Sequence, residues 1–188
     1  KLAQSSSIDE VICVPGNGGT ATEKKCRNIS LSQGSYVEIA KKESCSFAVI
    51  GPEDPLAEGL ADSFWEVGIP CVGPKSKGAQ LEASKDLAKD FMAKYNVACP
   101  ASKTFENETD AHNYIDQHGA PIVIKADGLA AGKGVVVAAT LSEAHKAVTE
   151  LMADGRVGEA GKKLVIEDYL EGVEISILAA VSVTEEFT

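Results

Sequence analysis

The most constraining stretch of this 188-residue chain is Ile-Val-Ile-Lys-Ala-Asp-Gly-Leu-Ala-Ala-Gly-Lys-Gly-Val-Val-Val, residues 122–137. Two β-branched runs flank a turn that carries Gly128, Gly132 and Gly134. Lys125 stands on the first run and Lys133 inside the turn. β-Branched residues favour strands, and glycines let backbone N–H groups come close to an anion, to which lysines add point charge. The stretch therefore reads as a strand–loop–strand unit able to cradle phosphate. It is not a Walker loop, because the GxxxxGK[ST] spacing is absent and a strand rather than a helix follows. Taken alone, a glycine-rich turn of this kind is more often an ordinary hairpin with a solvated lysine, so the reading needs support from elsewhere in the chain.

That support begins at residues 164–174, where an apolar run leads straight into Glu167, Asp168, Glu171 and Glu174. Backbone just beyond a strand can pair with the edge of a purine, and a carboxylate accepts hydrogen bonds from ribose hydroxyls. By itself this segment reads more often as a strand end with a solvated acidic turn.

Earlier in the chain, apolar runs at 11–14, 47–50 and 69–72 are each stopped by turn residues: Pro15-Gly16-Asn17-Gly18-Gly19, Gly51-Pro52 and Gly73-Pro74. Residues 36–42 are weakly helical, and over 55–67 Leu56, Leu60, Phe64 and Val67 repeat at the spacing of a helix. Strand, glycine turn, helix, strand is the pattern of an open parallel sheet, whose ligands lie at the carboxyl ends of the strands. Segments 15–20 and 51–54 would sit there. Residues 84–95 form the clearest helix, with Ser84 as N-cap and an apolar stripe of Leu87, Ala88, Phe91, Met92 and Tyr95. Lys85 and Lys89 lie one turn apart on another side of it. A domain boundary is expected between 74 and 100. Beyond it come a helix over 108–118, strands over 122–125 and 134–138, a helix over 141–152, and strands over 163–169 and 174–183.

A net charge of −10 argues against a general nucleic-acid binder, which needs clustered cations. It leaves room for a nucleotide held by a few lysines in one cleft. The five cysteines, Cys13, Cys26, Cys45, Cys71 and Cys99, include no CxxC pair and have no histidine beside them. They suggest neither a zinc site nor a disulfide scaffold, but small core residues in a reducing cytoplasm. No apolar run reaches the length of a membrane span, and no secretory signal core opens the chain. The absence of an initiating Met and the abrupt end at 185–188 read as a piece of a longer protein. His112, His118 and His145 are expected to be exposed on helices, which gives a pH switch little support.

Considered together, a lysine-bearing strand, a glycine-rich loop, a helix and a strand ending in E-x-x-L-x-x-x-E resemble the ATP-grasp class of ligases. The likeness narrows further at Pro15-Gly-Asn-Gly-Gly-Thr20, Gly51-Pro-Glu-Asp-Pro-Leu56, Gln80-Leu-Glu-Ala-Ser-Lys85, Lys89-Asp-Phe-Met92 and Lys125-Ala-Asp-Gly-Leu-Ala-Ala-Gly-Lys-Gly134. These segments resemble, in order, the glycinamide ribonucleotide synthetase family of purine biosynthesis. The fold class this implies is α/β: a partial Rossmann-like N-terminal domain over 1–82, followed by the first part of an ATP-grasp domain over 83–188.

The resemblance implies ATP-dependent joining of glycine to 5-phosphoribosylamine through a glycyl phosphate, with Mg2+. It places Lys85 and Lys125 on phosphate, with Lys125 and Lys133 as the catalytic lysines. It makes Gly128, Gly132, Lys133 and Gly134 part of a loop closing over the triphosphate. Glu167, Tyr169 and Leu170 fall in the adenine-contacting hinge, the last two through backbone atoms, and Glu174 on the ribose. Gly16, Asn17, Gly18 and Thr20, with Gly51, Pro52 and Glu53, fall near phosphoribosylamine. The family's Mg2+ ligands are expected beyond residue 188, so this chain alone is expected to be catalytically inactive. Implied partners are the small-molecule substrates only, with no nucleic acid and no membrane, and fusion to other purine-pathway domains is left open. Two rival readings are another ATP-grasp carboxylate–amine ligase and a non-catalytic module that binds adenine nucleotide.

Overall fold

The computed structural model describes residues 1–130, 132–179 and 181, and divides into two compact units, Lys1–Ala88 and Lys89–Thr188. In the first unit the β-branched runs pair over short spans. Strand β1 (Val11–Cys13) lies parallel to β2 (Cys26–Asn28). Helix α1 (Tyr36–Lys42) follows, with a reciprocal Ser35–Glu38 capping box that satisfies the first-turn N–H groups. Strand β3 (Ala48–Val49) leads through helices α2 (Glu53–Ala57) and α3 (Leu60–Glu66) to β4 (Cys71–Val72), which is parallel to β3.

The parallel grammar read from the sequence is present, but as two separate two-stranded ladders rather than one open sheet. The helix expected over 55–67 is broken at Gly59, whose φ of 89° lies in the left-handed region. The break turns Asp62 toward the next helix, α4 (Ser76–Ala83), which the sequence reading did not anticipate. Asp62 Oδ2 accepts the Ser76 N–H at 2.6 Å, and that backbone bond holds its carboxyl below the usual aspartate range. Ala40, Leu56, Ala61, Phe64, Ile69 and Cys71 form this unit's core.

Helix α5 (Lys85–Lys94) is capped as expected: Ser84 Oγ accepts the Leu87 N–H at 3.1 Å. Its apolar stripe forms, yet no residue of the helix is buried. The second unit is a four-stranded antiparallel sheet in the order β5 (Ser102–Phe105), β8 (Leu164–Asp168), β6 (Ile122–Ala126), β7 (Val135–Ala138). Helices α6 (Glu108–His118) and α7 (Leu141–Val148) cover its rear face. Strand alternation sends Ile122, Ile124, Ala126, Leu164 and Ile166 into that core, all fully buried. The helix expected to reach residue 152 widens after Val148 into a single π turn, Thr149–Ala153.

The strand expected over 174–183 is not formed over 174–179 or at 181, and residues 180, 182 and 183 lie outside the described set. A strand needs a ladder partner for its backbone groups, and none of the described strands pairs with this segment. Ile175, Ile177 and Leu178 are accordingly exposed. Of the cysteines expected in the core, Cys71 is buried, Cys13, Cys26 and Cys45 are half-buried and Cys99 is exposed; burial is the main cause of the raised thiol pKa of Cys26, Cys45 and Cys71. Among the described residues no helix is long and apolar enough to cross a membrane.

Candidate active site

Ladder register decides which side chains share the front face of the four-stranded sheet. Lys125 stands opposite Val135 and Val165, and Val123 opposite Val137 and Glu167. Directly opposed residues point to the same side, so Lys125 and Glu167 are diagonal neighbours on the face away from α6 and α7. Glu167 is only 4% exposed. Its Oε2 lies 2.8 Å from Lys125 Nζ and its Oε1 lies 3.3 Å from Lys89 Nζ. Lys89 also donates to the Pro100 carbonyl at 3.0 Å. A carboxylate taken out of water is tolerable when paired on both oxygens, and this arrangement holds two ammonium groups at one end of the face.

The sequence reading named Lys125 and Glu167 but gave Lys89 no role; the available signal was its place one turn beyond Lys85. Glu167 also departs from the solvated acidic turn that its segment alone allowed. Only its neighbours fit that description: Asp168 is half-exposed and bonds His118 Nε2 at 3.1 Å, while Glu171 and Glu174 are exposed. Tyr169 and Leu170 follow the end of β8 with exposed side chains.

Between β6 and β7 the glycine loop folds back on the sheet. The Ala126 N–H donates to the Gly134 carbonyl at 2.7 Å and the Lys133 N–H to Ala130 at 2.8 Å. A methyl group on Gly134 would come within 2.8 Å of Ala130 Cβ and 3.0 Å of Ala126 Cβ. One on Gly128 would meet Ala160 Cβ at 2.9 Å. These glycines therefore serve close packing of the loop base. Asp127, Gly128 and Leu129 line a recess together with Ala160, Lys162 and Lys163. Lys85, also named from the sequence, opens α5 in the first unit.

In that first unit, the turn after β1 is held by its own side chains. Asn17 Oδ1 accepts the N–H groups of Gly19 and Thr20 at 2.8 and 3.0 Å. Asn28 Nδ2 donates to the Asn17 carbonyl at 2.9 Å, and the Thr20 hydroxyl lies 2.8 Å from Asn28 Oδ1. Asn17 and Thr20 thus shape the turn, and Asn28, on a strand the sequence reading missed, closes it. Gly16 has φ +76°, and a Cβ there would lie 2.2 Å from Asn28 Oδ1. Gly16→Ala is therefore expected to lower first-unit stability by about 1–2 kcal/mol from the left-handed backbone alone. Gly18→Ala, whose Cβ would meet nothing within 4 Å, should change it by less than about 0.5 kcal/mol. Urea titration followed by the fluorescence of Trp65, the chain's single tryptophan, checks both; equal losses would contradict the role given to Asn28. Gly51 follows β3, Pro52 caps α2 and Glu53 opens it, so both turns named from the sequence stand at the carboxyl ends of strands.

An antiparallel sheet backed by two helices, with Lys125 and Glu167 on its other face and a glycine loop joining two of its strands, defines the nucleotide-binding part of an ATP-grasp fold. The same fold is seen in the biotin carboxylase domain of 2-oxoglutarate carboxylase from Hydrogenobacter thermophilus, solved with MgADP. That domain has a TM-score of 0.67 and 19% identity over 86% of this chain and 39% of that one. More particularly, residues 1–82 match the family model described as phosphoribosylglycinamide synthetase, N domain, and residues 83–187 that of its ATP-grasp (A) domain. The chain belongs to the phosphoribosylglycinamide synthetase family. It is 52% identical to phosphoribosylamine–glycine ligase of Neisseria meningitidis serogroup B over 96% of this chain, and 47% identical to that of Clostridium acetobutylicum over 95%. The solved ligase from Thermotoga maritima superposes with a TM-score of 0.70 at 27% identity, over 92% of this chain and 41% of its own. This chain spans 43% of the length of those two curated relatives.

Proposed function

We propose that the protein containing this chain joins glycine to 5-phosphoribosylamine, with ATP converted to ADP and phosphate. In this reading the glycine carboxylate attacks the γ-phosphorus and ADP leaves. The phosphoribosylamine nitrogen then attacks the glycyl phosphate, expelling phosphate and giving glycinamide ribonucleotide. Such chemistry asks the protein mainly to align reactants and neutralise phosphate charge. The observation that carries the proposal is the meeting of Lys125, Lys89 and Glu167 on the sheet face beside the glycine loop, in a chain matched by both family models.

Lys125 and Lys133 would neutralise the phosphates, with Lys85 as a third cation. Gly128, Gly132 and Gly134 would let the loop approach the triphosphate, and the Tyr169 and Leu170 backbone would read adenine. Glu174 would accept the ribose hydroxyls. The turns at Gly16–Thr20 and Gly51–Glu53 would serve phosphoribosylamine, chiefly through backbone groups, since the Asn17 and Thr20 side chains are engaged within their turn. Mg2+ would supply further neutralisation of the phosphate charge. Among the described residues no group of three or more candidate metal ligands gathers. A cytosolic location goes with this reading.

A thermal-shift titration with Mg·ATP tests the nucleotide site. A ligand confined to the folded state adds about 2.7 kcal/mol at 100 times its Kd. In a chain that binds, Lys125→Ala and Lys133→Ala should each weaken binding roughly tenfold or more, the worth of a charge-assisted hydrogen bond. Unchanged affinity in both variants would remove the nucleotide from this face. For the full-length protein, ADP release that needs both glycine and 5-phosphoribosylamine separates this activity from that of another ATP-grasp ligase. Binding without turnover would favour the non-catalytic module.

A further inference from the structure

Helices α6 and α7 lie side by side on the rear of the sheet, on the side away from the lysines of the front face. There His112 and His145, 33 residues apart, meet with ring centroids 4.8 Å apart and Nδ1 atoms 2.6 Å apart. Each distal nitrogen faces a carboxylate: His112 Nε2 lies 3.2 Å from Glu108 Oε1, and His145 Nε2 lies 2.9 Å from Asp116 Oδ1. Glu108 is itself held by the Thr149 hydroxyl at 2.7 Å, the main reason its carboxyl titrates below the usual glutamate range. The expectation of three exposed histidines is thus corrected at two of them: His112 and His145 are half-buried and joined, while His118 is exposed and bonds Asp168.

A neutral imidazole carries one N–H. Opposite a carboxylate that hydrogen belongs on Nε2, in both rings. When both rings are neutral, the two Nδ1 lone pairs then face each other with no hydrogen between them, and they repel. An electron-pair acceptor placed between them converts the repulsion into two bonds. We propose that His112 and His145 form a binding site for a divalent transition cation of the Zn2+ or Ni2+ type, held by both Nδ1 atoms and completed by water. Glu108 and Asp116 set the tautomers and ring orientation, as carboxylates behind metal-bound imidazoles commonly do. At a metal–nitrogen distance of about 2.0–2.1 Å and a tetrahedral angle, the two nitrogens stand about 3.3 Å apart. The rings therefore need to open by less than about 1 Å. Imidazole nitrogen suits these ions, whereas Mg2+ prefers oxygen, so this site is separate from any nucleotide-bound metal. The bound ion would tie α6 to α7.

The test is long-range proton–nitrogen NMR of the 15N-histidine-labelled chain, first with EDTA and then with one equivalent of free Zn2+. The expected result is a large shift of the Nδ1 signals of His112 and His145 with those of His118 unmoved, together with a rise in melting temperature. Competition against a zinc indicator should show at least a tenfold loss of affinity in His145→Gln, whose fold is checked by circular dichroism. Two results would overturn the proposal: Zn2+ that binds yet leaves the Nδ1 signals of His112 and His145 unmoved, or Nδ1 signals that keep a shared proton and ignore the metal. Because the NMR readout uses the parent chain, the outcome stands even if the variant is unstable.

Discussion

Glu167→Gln should destabilise the second unit by about 3–5 kcal/mol, the usual cost of removing one partner from a buried ion pair. The carboxylate is 4% exposed, and its two oxygens answer two different lysines, at 2.8 and 3.3 Å. The amide keeps the shape and one acceptor oxygen but turns its other end into a donor facing an ammonium group. Lys89, with a side chain only 12% exposed, is the harder of the two to return to water. Lys125, at 28%, can partly rehydrate, which sets the lower end of the range. Urea titration followed by far-ultraviolet circular dichroism measures the loss. A drop below about 1 kcal/mol would show that both lysines swing into solvent and that the buried charge is not needed. A Glu167→Leu/Lys89→Met double variant should recover part of the loss, because charge and countercharge then leave together. Nucleotide binding should still fall in that variant, since stability and charge placement are separate consequences of the same carboxylate.

One residue before Lys125, Ile124→Ala should cost about 2–5 kcal/mol, the range for emptying a fully buried large aliphatic position. Ile124 is 0% exposed and lies between Val136 and Ile166 in the ladder, facing the helices. Val137→Ala is the control: 59% exposed on the front face, it should cost less than about 0.5 kcal/mol. Comparing urea midpoints at unchanged m-value reads the difference. Similar losses at both positions would mean that the face assignment, and with it the placement of Lys125, is wrong.

Much of this was legible before folding was considered. In Ile-Val-Ile-Lys-Ala, a period of two separates the core-facing isoleucines from the lysine, because successive strand side chains alternate. Ser84 marked a helix start because its hydroxyl satisfies a first-turn N–H group within three residues. Such signals are local, and so they survive in a linear reading. The helix over 55–67 failed for a related reason: apolar spacing continued across Gly59, but the chain reversed its backbone there. The segment after Glu174 failed because apolar content alone cannot make a strand without a neighbour to bond.

The sequence by itself determined the strand–loop–strand unit, the two cations it carries, the turns after β1 and β3, and the family to which they point. Only the tertiary structure decided that β8 inserts between β5 and β6. That order sets Glu167 diagonal to Lys125 and within reach of Lys89. The same folding placed Asn28 under the Gly16 turn and joined His112 to His145. Each of these pairs is distant along the chain, and neither partner's local pattern specifies the other. Their meeting follows from which faces the helices and strands must bury, a condition on the folded whole that no short window of residues encodes.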